Sequence, residues 1–427
     1  MTTLAGMFAM SVGLFAAGLS TALWAYAVRA TTAAARSGRV RLAHLASLLT
    51  VAGSLGAAAV MEWALVTDDF SLRYVAENSS RGTPLLYRVT ALWSALDGSL
   101  LLWLLALSAY GVLLSRHARL AGASRGRSAL TCAAASAVQA VTFAFFVVSV
   151  AATRPFAQLS PAVADGRGPN PLLADHPAMA AHPPLLYLGY AGLVVPFGYA
   201  LAALATGQVG DDWTRNTRRW VLVAWVCLTS GIVLGAWWSY AVLGWGGYWA
   251  WDPVENASLL PWLTATALLH ALLRRRAGAS PVWAVTLAAA SFLLVCTGTF
   301  LTRSGVVLSV HSFTQSAVGP ALLTVLVVAV AIVAALLIWR SDRLASSTHP
   351  SDRRDDIDQG AANTGAAAPV HSARGVALLL NNVLLVGLAV TVLAGTFLPV
   401  LAAVSGADVS VGAPYYDRIA VPVGLVL

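Results

Sequence analysis

Apolar stretches of about twenty residues, the length of a bilayer-crossing helix, recur along the chain near 4–28, 42–66, 91–114, 128–151, 183–206, 220–243, 257–273, 281–301, 318–339 and 375–400. Short connections rich in Arg, Gly, Ser and Pro separate them. The pattern predicts an all-α polytopic membrane protein of about ten transmembrane helices. The N-terminal run lacks the basic leader of a signal peptide and exceeds the apolar core of one, so it reads as a retained first helix. No short-period repeat is present.

The organisation expected from this pattern has four parts. Residues 1–206 form an N-terminal transmembrane bundle with an outer loop at 152–182. Residues 207–340 hold a tryptophan-rich segment and its flanking helices. Residues 341–373, SDRLASSTHPSDRRDDIDQGAANTGAAAPVHSA, have no apolar periodicity and read as a disordered cytoplasmic linker, in which His349 and His371 are incidental. Residues 374–427 form a last helix and the start of an outer region. The ending IAVPVGLVL, an apolar segment barely begun, looks like a cut inside a longer protein.

Composition supports the membrane reading. Of 427 residues 58% are hydrophobic and only 10% charged, with a mean hydropathy of +0.74, too apolar for a soluble domain. The net charge of +8 comes from 26 arginines, with no lysine, in short loops rather than in a nucleic-acid-binding tract. With the N-terminus outside, 19 arginines fall on inner segments and 7 on outer ones, which predicts that orientation. Cys132, Cys227 and Cys296 are far apart and without metal-binding spacing, so they read as small buried residues.

Chemistry concentrates on the expected outer side. Between Gly235 and Leu263 the chain reads GAWWSYAVLGWGGYWAWDPVENASLLPWL, placing six of fifteen tryptophans (Trp237, Trp238, Trp245, Trp249, Trp251 and Trp262) in 29 residues. Aromatic residues at a membrane boundary commonly form interfacial belts. Here Gly246 and Gly247 interrupt the helix while Pro253 and Pro261 fix the next one, which favours a rigid aromatic pocket for a large planar ligand such as a porphyrin. Asp252 and Glu255 fit either acid–base groups or a capping box that opens the next helix, and the two roles are compatible.

Two histidines flank this segment in the chain. His182, in AAHPPLLYLGY, is expected in a loop before the fifth helix, and His311 in the loop after the eighth. Each alone would read as an ordinary loop histidine; as a pair beside an aromatic pocket they supply two axial donors for haem iron. Arg303 could pair with a propionate, and Met179 is a softer alternative ligand. His270 lies in the membrane in LTATALLHALLRRR, either as an interhelical hydrogen-bonding group or as an iron ligand whose weak trans candidate is His44. Asp97, near the outer end of the third helix, is expected to pair with Arg88 or Arg303 or to orient the pocket. No nucleophilic triad is visible, so no catalytic side chain is assigned.

Together these residues resemble the CcmF-type haem lyases of cytochrome c biogenesis, within the haem-handling family defined by a tryptophan-rich WWD segment. The resemblance rests on WGGYWAWDPVENASLLPWL, LYRVTALWSALDGSLLLW, NPLLADHPAMAAHPPLLYLGY, FLTRSGVVLSVHSF, LLLNNVLLVGLAVTVLAGTFLP and SVGAPYY, in that family's order. It implies that His182 and His311 ligate an incoming haem held by the Trp-rich loop. It also implies that His270 binds a resident haem b that reduces the transferred iron, and that the site faces the periplasm from the inner membrane. The implied reaction is thioether formation between haem vinyl groups and the CxxCH thiols of apocytochrome c. The implied partners are a haem chaperone, CcmE, and a thiol-handling partner, CcmH. The family's second resident-haem ligand is expected near PVLAAVSGADVSVG, yet no histidine follows His371. A haem transporter and a haem-delivery scaffold without lyase chemistry are the alternatives.

Overall fold

The computed structural model describes residues 1–120, 125–174, 176–244, 246–275, 281–307, 318–346 and 373–427. His311 and Trp245 lie outside the described residues, as does nearly all of the expected linker. The described chain is nearly all helix, and ten helical segments are long and apolar enough to cross a membrane. The elements are α1 Thr2–Val28, α2 Ala33–Val66, α3 Arg73–Asn78, α4 Leu85–Thr90, α5 Leu96–Leu120, α6 Arg125–Ala152, α7 Pro171–Ala174, α8 Ala178–Gly192, α9 Val194–Thr206, α10 Asp211–Val242, α11 Pro253–Arg275, α12 Pro281–Ser304, α13 Val318–Ser346, α14 Ala373–Val404 and α15 Ala413–Val426.

The expected spans are all present, with one difference. The fifth is two helices, α8 and α9, which meet at Leu193. Pro196, the third residue of α9, has no N–H for the preceding turn, so the hydrogen-bond ladder is interrupted there. A second effect of proline sets the entry to the candidate site. Pro183 and Pro184 lie inside α8, and Pro183 gives no donor to the carbonyl of Met179 four residues earlier. The indole of Trp93 donates to that carbonyl instead, at 2.9 Å, tying the start of α5 to α8.

Helix association relies on close approach and on polar contacts, because apolar burial between helices gains little in lipid. A side chain on Gly53 of α2 would run into the backbone of Gly13 on α1. Beside this contact the buried Ser20 and Ser47 hydroxyls are 2.9 Å apart, and the Trp24 indole donates to Ser47 at 3.0 Å. A reciprocal pair joins α10 to α11. Trp225 donates to Thr266 and Trp262 to Thr229, each at 2.8 Å, with the two indoles stacked at 6.1 Å. Trp262 is therefore an interhelical packing residue. Phe8 and Phe15 of α1, at 71% and 75% exposure, leave the outward face of the bundle apolar, as lipid contact requires.

The 153–170 connection lies across the link between α2 and α5. Leu72 and Gln158 form an antiparallel bridge, while Arg167 and Gly168 donate backbone N–H groups to the carbonyls of Ala76 and Ser79. Asp165 accepts from the backbone N–H of Arg81 at 2.9 Å, a bond that holds its carboxyl below the usual range. The end of this layer, at Asn170, reaches a cavity lined also by residues of α8, α10 and α12.

Candidate functional site

Next to that layer is a cavity of about 370 Å³ with walls from α7, α8, α10, α11 and α12 and from Trp93 and Ser94 just before α5, within the range of about 300–1,000 Å³ usual for small-molecule sites. His182, Trp238 and Arg303 all line it, together with Met179, Tyr187 and Tyr190. Residues separated by more than a hundred positions thus share one wall.

His182 is not in a loop. It sits on the fifth residue of α8, because proline without an N–H is tolerated in the opening turns and the helix starts earlier than the PP pair suggests. Its Nδ1 is 2.7 Å from the carbonyl oxygen of Gly231 on α10. A carbonyl only accepts, so Nδ1 carries the proton, and the neutral form of such a ring has its lone pair on Nε2. Gly235, one turn further along α10, leaves space for the ring, since a methyl group there would overlap it. A backbone carbonyl that fixes one imidazole nitrogen commonly orients a histidine that ligates metal through the other.

Arg303, at 4% exposure, closes the α12 side. Its Nη2 donates to Tyr187 Oη at 2.8 Å and to Ser99 Oγ at 3.1 Å, and Nη1 donates to Thr302 at 3.2 Å. The guanidinium lies in the lining of the cavity, where an arginine can pair with a carboxylate. Arg88, by contrast, is paired with Asp68 at 2.9 Å. With its guanidinium on Asp68, Arg88 does not form the expected pair with Asp97.

The tryptophans do not form one wall. Among the described ones of the segment only Trp238 lines the cavity, packed at 3% exposure against Ala178 and Met179. Trp237 is half exposed and meets the ring of His176 edge-on at 4.6 Å. Trp249 and Trp251 belong to a second cluster. Their rings are 5.9 Å apart, Trp251 stacks on Tyr416 of α15 at 4.9 Å, and its indole donates to Asp417 at 2.8 Å.

The backbone turns of this segment are as its glycines require. Gly244 and Gly246 have φ of +72° and +73°. Trp251 has φ of +58°, which costs about 1–3 kcal/mol for a bulky residue. The buried Asn256 holds it there, donating to the Trp251 carbonyl at 3.2 Å and to Thr396 of α14 at 3.0 Å. Asp252 and Glu255 form the capping box. Asp252 Oδ1 accepts from Val254 N at 2.8 Å, while Glu255 Oε2 accepts from Asp252 N at 3.2 Å and Ala250 N at 2.9 Å.

His270 lies fourteen residues from Asn256 along α11, about 21 Å toward the opposite end of the bundle. Its Nδ1 is buried and has no partner among the described residues. The Asn256–Thr396 bond sets the antiparallel register of α11 on α14, and Asn382, fourteen residues before Thr396, stands at the level of His270. His44 is not its partner. His44 Nδ1 bonds Ser115 Oγ at 2.7 Å between α2 and α5, whereas α11 packs on α10, α12 and α14. Among the described residues no cluster of three His, Cys, Asp or Glu side chains stands ready for a metal ion.

Sequence reasoning did not single out Tyr187, His176, Asn256 or Tyr416. All four lie within the motifs that carry the resemblance, but only packing shows that Tyr187 meets Arg303 and His176 meets Trp237. Asn256 reads locally as one more capping-box residue, and its bond to Thr396 spans 140 positions.

The chain was compared with known proteins. The sequence model of the Cytochrome C assembly protein family matches residues 93–308, a span from Trp93 past Arg303. The chain is 43% identical over 378 residues to cytochrome c-type biogenesis protein CycK of Rhizobium meliloti, covering 88% of this chain and 52% of that protein. It is 38% identical over 394 residues to cytochrome c-type biogenesis protein CcmF of Haemophilus influenzae, covering 90% and 56%. A solved structure titled Cytochrome c Heme Lyase CcmF superposes with a TM-score of 0.76 at 33% identity, covering 100% of this chain and 60% of that one. The chain spans about half the length of the curated relatives it matches.

Proposed function

This chain belongs to the Cytochrome C assembly protein family, and from that membership we propose that it receives haem in the cavity lined by His182, Trp238 and Arg303 and presents it to apocytochrome c. The observation that carries the reading is the His182 Nδ1–Gly231 contact in the wall of that cavity. It aims an imidazole whose lone pair is on Nε2, the form that ligates iron.

Haem is the substrate. His182 takes one axial position and His311 the other. Arg303 receives a propionate carboxylate, with Tyr187 and Ser99 keeping its guanidinium oriented. Trp238 lies against the porphyrin. The outer tryptophans Trp237, Trp245, Trp249 and Trp251, with Asp252 as helix cap, shape the edge from which the vinyl groups meet the client. Two thiols of a CxxCH segment then add across the two vinyl double bonds. Each sulfur bonds to one vinyl carbon, the thiol proton ends on the other, and no electrons are gained or lost. The chain's share is orientation and exclusion of competing oxidation, so no catalytic side chain is required.

A resident haem b, when bound, supplies the electron that keeps the transferred iron ferrous. His270 would hold such a group, since its buried Nδ1 lacks a partner among the described residues. Among the described residues Asn382 stands at that level on α14. The arginine distribution supports placing the cavity on the periplasmic face of the inner membrane. There a haem chaperone of the CcmE kind and a thiol-handling partner of the CcmH kind would meet it.

Co-expression with an apocytochrome c reporter, scored by covalent haem stain, tests the reading. His182→Ala is expected to abolish stained cytochrome while the chain stays inserted. Undiminished stain overturns the assignment. Retention of chaperone and haem with no client thioether, in the unaltered chain, would favour the delivery scaffold over the lyase.

A further inference from the structure

We propose that the bundle end opposite the haem cavity binds a phosphate oxyanion, that of an anionic phospholipid headgroup, between Arg29 and Arg36. A second cavity, of about 440 Å³, opens at the junction of α1 with α2. Arg29, Thr31 and Arg36 line it, with Ala129 of α6 and Gln208 of the α9–α10 link. Among the described residues no carboxylate is in its lining.

Arg36 is the decisive side chain. It is 8% exposed, its Nη2 donates to the Ala30 carbonyl at 2.6 Å, and its Nε is buried with no partner among the described residues. A buried guanidinium held only by a neutral carbonyl retains a full charge and an unused donor, a costly arrangement unless an anion completes it. The planar fork of arginine matches phosphate geometry.

The surroundings agree. The 34-residue α2 begins here with Thr32 as its cap and no acidic residue in its first turn, so the helix end adds positive potential. Arg39 is occupied elsewhere, donating to the Tyr26 carbonyl at 3.0 Å with its guanidinium 3.6 Å above the Tyr26 ring. Asp211 and Asp212 line a neighbouring cavity that shares Gln208, and Asp212 is paired with Arg215. They bound the site without entering it. Because the cavity sits where two apolar spans end, it is at headgroup depth, and basic pockets between helices at that depth hold anionic lipid.

The test uses the whole chain in phosphatidylcholine nanodiscs containing a minor fraction of phosphatidylglycerol, with retained lipid read by native mass spectrometry. The unaltered chain is expected to retain phosphatidylglycerol preferentially, and each arginine replaced to lower that preference about fivefold. R29Q leaves the buried Arg36–Ala30 contact intact, and R29Q/R36Q removes both charges. Equal retention of the two lipids by the unaltered chain, or unaltered preference in both variants, overturns the proposal. In a parallel arm, inorganic phosphate is added to discs of phosphatidylcholine alone and thermal stability is measured. Stabilisation there, without any phosphatidylglycerol preference in the first arm, overturns the lipid source and assigns the same oxyanion site to soluble phosphate.

Discussion

His182 and Gly235 are matched across the α8–α10 contact: the absent side chain of the glycine is the space in which the imidazole turns to reach the Gly231 carbonyl. The pair couples a backbone detail of one helix to the ligand chemistry of another.

Gly235→Ala is therefore expected to displace His182 without removing it. Haem affinity of the purified chain, followed by absorbance titration, should fall by about tenfold or more, the size of effect seen when an outer-shell contact to a metal ligand is lost. Gly247→Ala is the control, because an added methyl there meets nothing closer than 3.7 Å. Equal losses in both variants would remove the special role of the His182 contact.

Arg303 can be tested on the ligand side. The unaltered chain should bind haem more tightly than its dimethyl ester by about 1.5–3 kcal/mol, the value of a hydrogen bond to a charged group. Arg303→Gln should bring the two affinities together, while leaving ester binding nearly unchanged. A preference for haem that survives in the glutamine variant would place the propionate elsewhere.

Asn256 supports the strained Trp251 carbonyl and joins α11 to α14. Asn256→Ala is expected to destabilise the detergent-solubilised chain by about 1–3 kcal/mol, since buried partners are left unsatisfied. Thr396→Val, which removes one of the two contacts, should cost less. The comparison is a pair of thermal melts, and equal midpoints for Asn256→Ala and the unaltered chain would contradict it.

His270 is about 21 Å of helix from Asn256, beside which Val254 and Ala257 line the cavity, so the two places can be tested separately. His270→Ala should eliminate the haem b signal in a reduced-minus-oxidised spectrum and leave haem titration of the cavity intact. An unchanged haem b signal would exclude His270 as its ligand.

The ten spans were legible because the bilayer makes each helix satisfy its own backbone, so length and apolarity alone reveal it. The Asp252–Glu255 capping box was legible for a similar reason, being a contact of three residues' separation. The division of the tryptophans was not. Trp238, Trp251 and Trp262 look equivalent in a string, yet one lines a cavity, one stacks on α15 and one bolts α10 to α11. Their partners are 33 to 166 positions away.

By itself the sequence determined the class of molecule, the number of membrane-crossing helices, and the residue types suited to haem, since these depend on local periodicity and intrinsic chemistry. The tertiary structure alone decided that His182 is helical with its Nδ1 on Gly231, that Arg303 meets Tyr187 and Ser99 in the same wall, and that Asn382 rather than His44 stands level with His270. Those relations arise from how helices approach and register against one another, and in lipid that is set by glycines, prolines and buried polar pairs acting across long separations, which no local pattern encodes.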